Sequence, residues 1–343
     1  MGNIKPICAG QPMRGLTLPR MTLPMHSQTM RPTLERLLMR SVLCLCALSV
    51  SACSLLMQDR SVSTDGTEPD TPAVMTVAKL PTIGLALGAG AARGFAHVGV
   101  LQVLDEAGIK ADVLVGTSAG SVVAVLYASG LSGSALEQAA LGLNETALAD
   151  WMLPWGNRGV VRGAALAKYV NEQVKGKRLQ AMTTRVGVLA AQLDTGLPVL
   201  FQRGDAGEAV RASSAVPGVF MPVAIAGHEY VDGGVVAPVP VSFVKQMGAQ
   251  VVVAVDISSP PSATPASDTV GVMLQTLSIM GQRLSGFELK GADVVVRPNL
   301  HGMGSANFEA REQAIAAGRV AMQAALPALR LAIQQKTTWV AAQ

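Results

Sequence analysis

The chain has 343 residues, half of them apolar and 15% charged, with a net charge of +4. That length holds one large domain or two small ones. Arg14, Arg20, Arg31, Arg36 and Arg40 concentrate positive charge near the start, so the remainder is close to neutral and has no basic patch for nucleic acid.

All four cysteines (Cys8, Cys44, Cys46 and Cys53) precede residue 54, which excludes a disulfide framework or a zinc site from the rest of the chain. After residue 53 the apolar runs are broken by glycine, proline or charge, and none reaches the roughly 18 residues of a spanning helix. Residues 1–29 carry no pattern. From Met30 a basic lead-in (Arg31, Arg36, Arg40) precedes the apolar run 41–50 and the small residues Ser51, Ala52 and Cys53. Basic, apolar, then small is the order of a secretory signal, too short for a permanent span. Its ending resembles a bacterial lipobox, which implies that Cys53 is acylated and becomes the first residue of the mature chain. The alternatives are an ordinary cleaved signal or an uncleaved anchor. On this reading residues 1–53 are a signal segment, and translation is expected from Met30 or Met39 rather than Met1. Residues 54–80 are polar and aperiodic, and read as a flexible tether.

The folded body is expected over 81–343. A buried strand at 82–87 enters the loop Gly88-Ala89-Gly90-Ala91-Ala92-Arg93-Gly94. A helix follows at 95–107, closed by Gly108. The next strand, 113–115, enters Gly116-Thr117-Ser118-Ala119-Gly120, and a helix leaves from Ala119. Strand, loop, helix, strand, turn, helix is a βαβα unit, which requires a parallel sheet. Helical stretches are expected at 136–153 and 164–174, a strand at 185–194 and a brief helix at 208–213. A tight turn at 230–234, strands at 251–255 and 294–297, and a helix at 270–284 come next. A closing helical region at 310–334 is interrupted near Pro327. No repeat and no linker appears after residue 80, so one α/β domain is predicted.

G-x-S-x-G between an apolar strand and a helix places a serine at the apex of a sharp turn, where Gly116 and Gly120 remove side chains that would collide with backbone. The rival is an ordinary βα turn. The helix after Ser118 points its positive end at any oxyanion formed there. The 88–94 loop lies one βα unit earlier, and amides freed by Gly88, Gly90 and Gly94 can converge on that oxyanion. A dinucleotide loop is disfavoured, because the sixth position from Gly88 is Arg93 and Gly94 is one late; no Walker loop occurs either. The serine needs a base. His26 lies outside the body, and His97 sits among apolar helix residues, where packing or capping is its expected role. His228 after Asp194, or His301 after Asp256, would supply the order of a Ser-His-Asp triad, though neither sits in a recognisable loop after a strand. Asp232, held by Gly233 and Gly234, is the stronger candidate, against the plain alternative of an aspartate stabilising its own turn.

Four blocks of the sequence resemble the patatin-like phospholipases, most nearly the bacterial branch near neuropathy target esterase. They are Gly88 to Leu101, Gly116 to Gly120, Ala212-Ser-Ser-Ala-Val-Pro217-Gly-Val-Phe, and Asp232-Gly233-Gly234. They stand in the family's order and span residues 82–240. The resemblance implies a three-layer α/β fold with a mostly parallel central sheet and helices on both faces. It implies Ser118 as nucleophile and Asp232 as general base. The oxyanion hole would come from Gly88, Gly90, Ala91, Arg93 and Gly94, with no metal and no cofactor. Ala89 and Ala91 stand where many members have glycine; they still present an N–H but narrow the loop's freedom.

The expected function is hydrolysis of phospholipid or lysophospholipid acyl esters by a protein of the bacterial cell envelope, lipid-anchored on the periplasmic face of a membrane. The alternatives are a Ser-His-Asp carboxylesterase and a catalytically silent lipid-binding lipoprotein. Trp151 and Trp155, flanking Pro154, read either as an interfacial lip dipping into lipid or as rings packed under the helical layer.

Overall fold

Five short apolar runs build the centre of the sheet. In the structure, a computed structural model that describes residues 76–143, 159–258, 268–304 and 306–341, β2 (Ile83–Leu87), β3 (Val113–Thr117) and β8 (Val251–Val255) are buried along their whole length. Such strands are apolar on both faces because both faces are covered. β2 pairs parallel with β3 and β8, and β8 with β9 (Val294–Val296). β4 (Arg185–Gln192) continues the parallel set beyond β3. The other strands are antiparallel: β5 (Pro198–Phe201) and β7 (His228–Asp232) pair with β4, and β6 (Val223–Ile225) pairs with β7. The sheet is therefore mixed and mostly parallel, with eight strands.

Alternation within the strands assigns the two faces. Leu85, Leu87, Leu114, Val188, Val253 and Val255 face the larger core, with α1 (Phe95–Glu106), α2 (Ala119–Ala128), α3 (Gly133–Leu141) and α8 (Arg311–Lys336). Ala86, Val113, Val115, Val252 and Ala254 face a smaller core closed by Val241 and Val244 of α6 (Val241–Gln246) and by Leu289. At the antiparallel end, α4 (Ala164–Gln173) and α5 (Ala206–Ser213) pack together, and Tyr230 meets Phe201 edge to face at 5.0 Å. α7 (Thr269–Glu288) runs beside the turn that follows β7.

Three expectations change. Residues 76–79, placed in the tether, form β1 (Thr76–Lys79), which pairs antiparallel with β10 (Thr338–Ala341). The 310–334 region is not interrupted: α8 runs through Pro327. Pro327 and Gln323, whose carbonyl loses its helical partner, are both exposed, on a side of the helix where solvent can offset that loss. Asp232 ends a strand rather than sitting mid-turn. Cys53, the signal segment, and Trp151 and Trp155 lie outside the described residues.

α1 is held against the sheet by α8, and two glycines set their separation. A Cβ on Gly318 would strike the Ala96 carbonyl, and one on Gly99 would strike the Ile315 carbonyl. Backbone cannot yield as a side-chain tip can. Gly318→Ala is therefore expected to lower the unfolding free energy by about 1–3 kcal/mol, read by urea denaturation.

Candidate active site

β3 delivers the serine. Its last residue, Thr117, is followed by Ser118 at φ 53° and ψ −124°, a strained conformation for a residue with a side chain. The turn is closed tightly: a Cβ on Gly116 would meet the Gly120 carbonyl, and one on Gly120 would meet the Leu87 carbonyl. Ser121 Oγ donates to the Ser118 carbonyl at 2.6 Å, securing the first turn of α2.

β7 delivers the aspartate, and β4 sets where the two meet. β5 occupies one edge of β4 at 188–191, so β3 (opposite 185–189) and β7 (opposite 190–192) share the other edge and run toward each other. Their last residues, Thr117 and Asp232, stand opposite the consecutive residues Leu189 and Ala190. The Ser118 side chain lies near enough to the Asp232 carboxyl to favour its ionised form. Gly234 N–H donates to Asp232 Oδ1 at 2.7 Å. Both side chains are buried. Burial pushes the Asp232 carboxyl up from 3.8 to about 6, against the opposing influence of Ser118 and of the Gly234 amide.

The glycine-rich loop lies alongside. A Cβ on Gly94 would come within 2.7 Å of Ala119 Cβ, at the first residue of the helix behind the serine. Ala89 N–H donates to the Pro238 carbonyl at 2.8 Å, tying the loop to the segment after Asp232. Thr117 Oγ1 fixes the same segment through the Ala237 carbonyl at 3.0 Å. Three motifs distant in sequence thus share one corner of the sheet.

A patatin-like phospholipase family model matches residues 85–244, the stretch that carries all three. Residues 85–244 are a patatin-like phospholipase domain. An uncharacterized NTE family protein of Mycobacterium tuberculosis is 32% identical over 188 residues, covering 55% of this chain and 52% of that protein. A second from the same organism is 27% identical over 274 residues, covering 72% and 47%. The mouse patatin-like phospholipase domain-containing protein 6 is 30% identical over 184 residues, covering 52% of this chain and 14% of that protein. The chain spans about half the length of the mycobacterial relatives. Among solved structures, VipD from Legionella pneumophila superposes with a TM-score of 0.51 at 14% identity, over 78% of this chain and 69% of that one. The fold is the patatin-like fold.

The patatin-like domain uses its loop amides unequally. Gly88 N–H donates to the Val255 carbonyl and Arg93 N–H to the Gly90 carbonyl, both at 3.1 Å, so these two amides are engaged within the fold. Gly90 and Ala91, at the start of the 3-10 turn Ala91–Gly94, have no backbone acceptor among the described residues. Ala91 stands at φ 49°, so the alanine found where many members have glycine is strained by roughly 1–2 kcal/mol. Arg93 Nε donates to the Ile257 carbonyl at 3.0 Å, beside Gly90.

The histidines fall elsewhere. His97 is fully buried, with Nε2 2.8 Å from the Gly88 carbonyl. A carbonyl only accepts, so Nε2 carries the proton and Nδ1 is left without a partner. Burial pushes His97 down to about 4, which keeps it neutral. Its role is to pin the loop, which no motif pattern indicates. His228 does meet Asp194, at 3.3 Å, but on the exposed surface. It stands at the opposite end of β7 from Asp232, about 13 Å away at strand rise. Asp256 bonds Arg297 Nε and the Ser258 amide rather than His301, which is exposed. Ser213 has no motif of its own beyond its place in the third block, yet its buried Oγ accepts the Ser118 N–H at 2.9 Å.

A carboxyl raised by burial makes a stability prediction. The folded state holds the Asp232 proton more tightly than the unfolded chain, so its favourable contribution is complete below about pH 4 and is lost as pH rises through 6. Above that pH the buried charge costs about 3 kcal/mol. Asp232→Asn is expected to unfold at a higher temperature than wild type at pH 7.5, with the gap shrinking toward pH 4, read by thermal melts across pH.

Proposed function

We propose that the domain is a serine acyl hydrolase that cleaves carboxylic esters of phospholipids or lysophospholipids through Ser118 and Asp232. The observation that carries the reading is a desolvated Asp232 carboxyl brought beside Ser118, where β3 and β7 end on consecutive residues of β4. The family of the domain supports a lipid ester as the substrate.

Asp232 takes the Ser118 proton as Oγ attacks the ester carbonyl, and the carbonyl electrons move to oxygen. The amides of Gly90 and Ala91, with the amino end of α2, face this developing charge; one such donor is worth about 3 kcal/mol. Collapse of the tetrahedral intermediate expels the alcohol, which takes the proton from Asp232 and leaves an acyl-serine. Water then gives its proton to Asp232 and attacks the acyl carbon; as the second tetrahedral intermediate collapses, Ser118 Oγ leaves, takes that proton back from Asp232 and frees the fatty acid. A carboxylate at 3.8 would hold that proton poorly, and one near 6 holds it better while remaining ionised at neutral pH. Among the described residues, His97 is engaged with Gly88, His228 lies at the far end of β7 from Asp232, and His301 is exposed and not bonded to Asp256, which disfavours a Ser-His-Asp route.

Ser118→Ala and Asp232→Asn are each expected to lower kcat on p-nitrophenyl esters by at least 10³, and Ser118→Ala to abolish labelling by a fluorophosphonate. In the wild type, kcat/KM should rise with pH along a limb near 6. Full activity in Asp232→Asn, or its loss on replacing His228 or His301, would return the triad; an unlabelled wild type would favour the silent lipid-binding protein.

We further propose that the domain is tethered to the periplasmic face of a bacterial envelope membrane by acylation of Cys53. The support is the order of basic, apolar and small residues at 31–53. Cys53→Ser is expected to move the protein from the membrane to the soluble fraction and to abolish incorporation of labelled palmitate. Retention of both would remove the anchor.

A further inference from the structure

The segment from Ser213 to Ala215 touches both halves of the Ser118–Asp232 pair, and no motif pattern assigns it a part. Ser213 closes α5 and is fully buried. Its Oγ accepts the N–H of Ser118 at 2.9 Å and donates its own proton to the Leu189 carbonyl at 2.5 Å. Thr117 is the last residue of β3 in register with β4, opposite Leu189. The hydroxyl therefore stands between the two strands where β3 leaves β4. There it occupies the gap with one acceptor and one donor bond. Two residues on, the Ala215 carbonyl accepts the N–H of Asp232 at 2.9 Å. One short segment thus fixes the backbone of the serine and of the aspartate. Ser214 provides a contrast: its hydroxyl is also buried and has no partner.

We infer that Ser213 is a positioning residue of the active site, holding Ser118 in its strained pose so that the hydroxyl stays aimed at Asp232. The inference rests on the Ser118–Asp232 reading above. Without the Ser213 hydroxyl the Ser118 N–H is buried and unpaired, and nothing between β3 and β4 opposes relaxation of the φ 53° conformation. Ser213 itself touches neither the substrate nor the reacting atoms. Its loss acts through geometry, on kcat and not on KM.

The test compares Ser213→Ala, Ser213→Cys and Ser214→Ala with wild type on a soluble p-nitrophenyl ester, with active sites counted by exhaustive fluorophosphonate labelling. Counting sites removes any loss due to unfolded protein. The Cys variant leaves no cavity and replaces the hydroxyl with a slightly larger, weak donor and acceptor, and decides the matter alone if the Ala variant is not recovered folded. Expected are a fall in kcat per labelled site of at least tenfold in both Ser213 variants, with KM within twofold. Ser214→Ala should stay within twofold in both parameters. Unchanged kcat per site in the Ser213 variants, or an equal fall in Ser214→Ala, overturns the inference. A wild type that does not label at Ser118 instead overturns the Ser118–Asp232 reading on which it rests.

Discussion

The register of β4 is the constraint on which the site depends. A serine at the end of one strand and an aspartate at the end of another could face in any direction. Here β3 and β7 run head to head along a single edge of β4, so their ends are set by consecutive residues, Leu189 and Ala190. Parallel and antiparallel pairing on the same edge leaves a break in the ladder, and unpaired backbone in a buried break is costly. Ser213 Oγ, Thr117 Oγ1 and the Ala215 carbonyl fill that break with hydrogen bonds. Gly233 admits no side chain there, because a Cβ would strike the Leu189 carbonyl. The place where two strands stop is thereby made rigid and dry, which a buried serine–carboxylate pair needs.

Dryness has opposite consequences for the two titratable groups near the loop. Desolvation favours the neutral form of each, and so moves an acid up and a base down. Asp232 rises to about 6 and remains mostly ionised at neutral pH, able to exchange a proton with the serine. His97 falls to about 4 and is fixed as a neutral donor to the Gly88 carbonyl. In the proposed mechanism, the same low-polarity interior suits one residue to proton transfer and removes the other from it. Arg93 is also desolvated, and Asp256 partly offsets this while its Nε is held by the Ile257 carbonyl. The loop is therefore anchored at both ends, by His97 at Gly88 and by Arg93 near its helix.

Much of this was legible in the sequence, because the strongest signals were local. The strands at 83–87, 113–117 and 251–255 are continuous apolar runs, and the glycines around Ser118 mark a turn that other residues cannot make. Hydrogen bonds of a side chain to distant backbone leave no such trace. Nothing in the sequence says that Ser213 rather than Ser214 has a partner, or that Gly88 and Arg93 spend their amides while Gly90 and Ala91 do not. The antiparallel strands β5, β6 and β7 are short and depend on pairing with β4, so their pattern was weak; Asp232 accordingly read as a turn. The continuation of α8 through Pro327 was hidden for a different reason, since a proline's cost depends on whether the orphaned carbonyl meets water.

The small residues of this chain gain their meaning from where backbones must approach. Gly94 lets the loop touch α2 at Ala119, Gly120 lets α2 touch β2, and Gly99 with Gly318 lets α8 press on α1, which carries His97. Each contact passes the position of one element to the next, from the outer helix to the loop beside Ser118. Larger side chains would fill the same volumes with apolar contact but would move the backbones apart by a methylene or more. A site whose serine is already strained at φ 53° tolerates little such movement. The abundance of glycine raises the conformational entropy lost on folding, and the close backbone contacts that result bring the loop, the serine turn and the segment after Asp232 together.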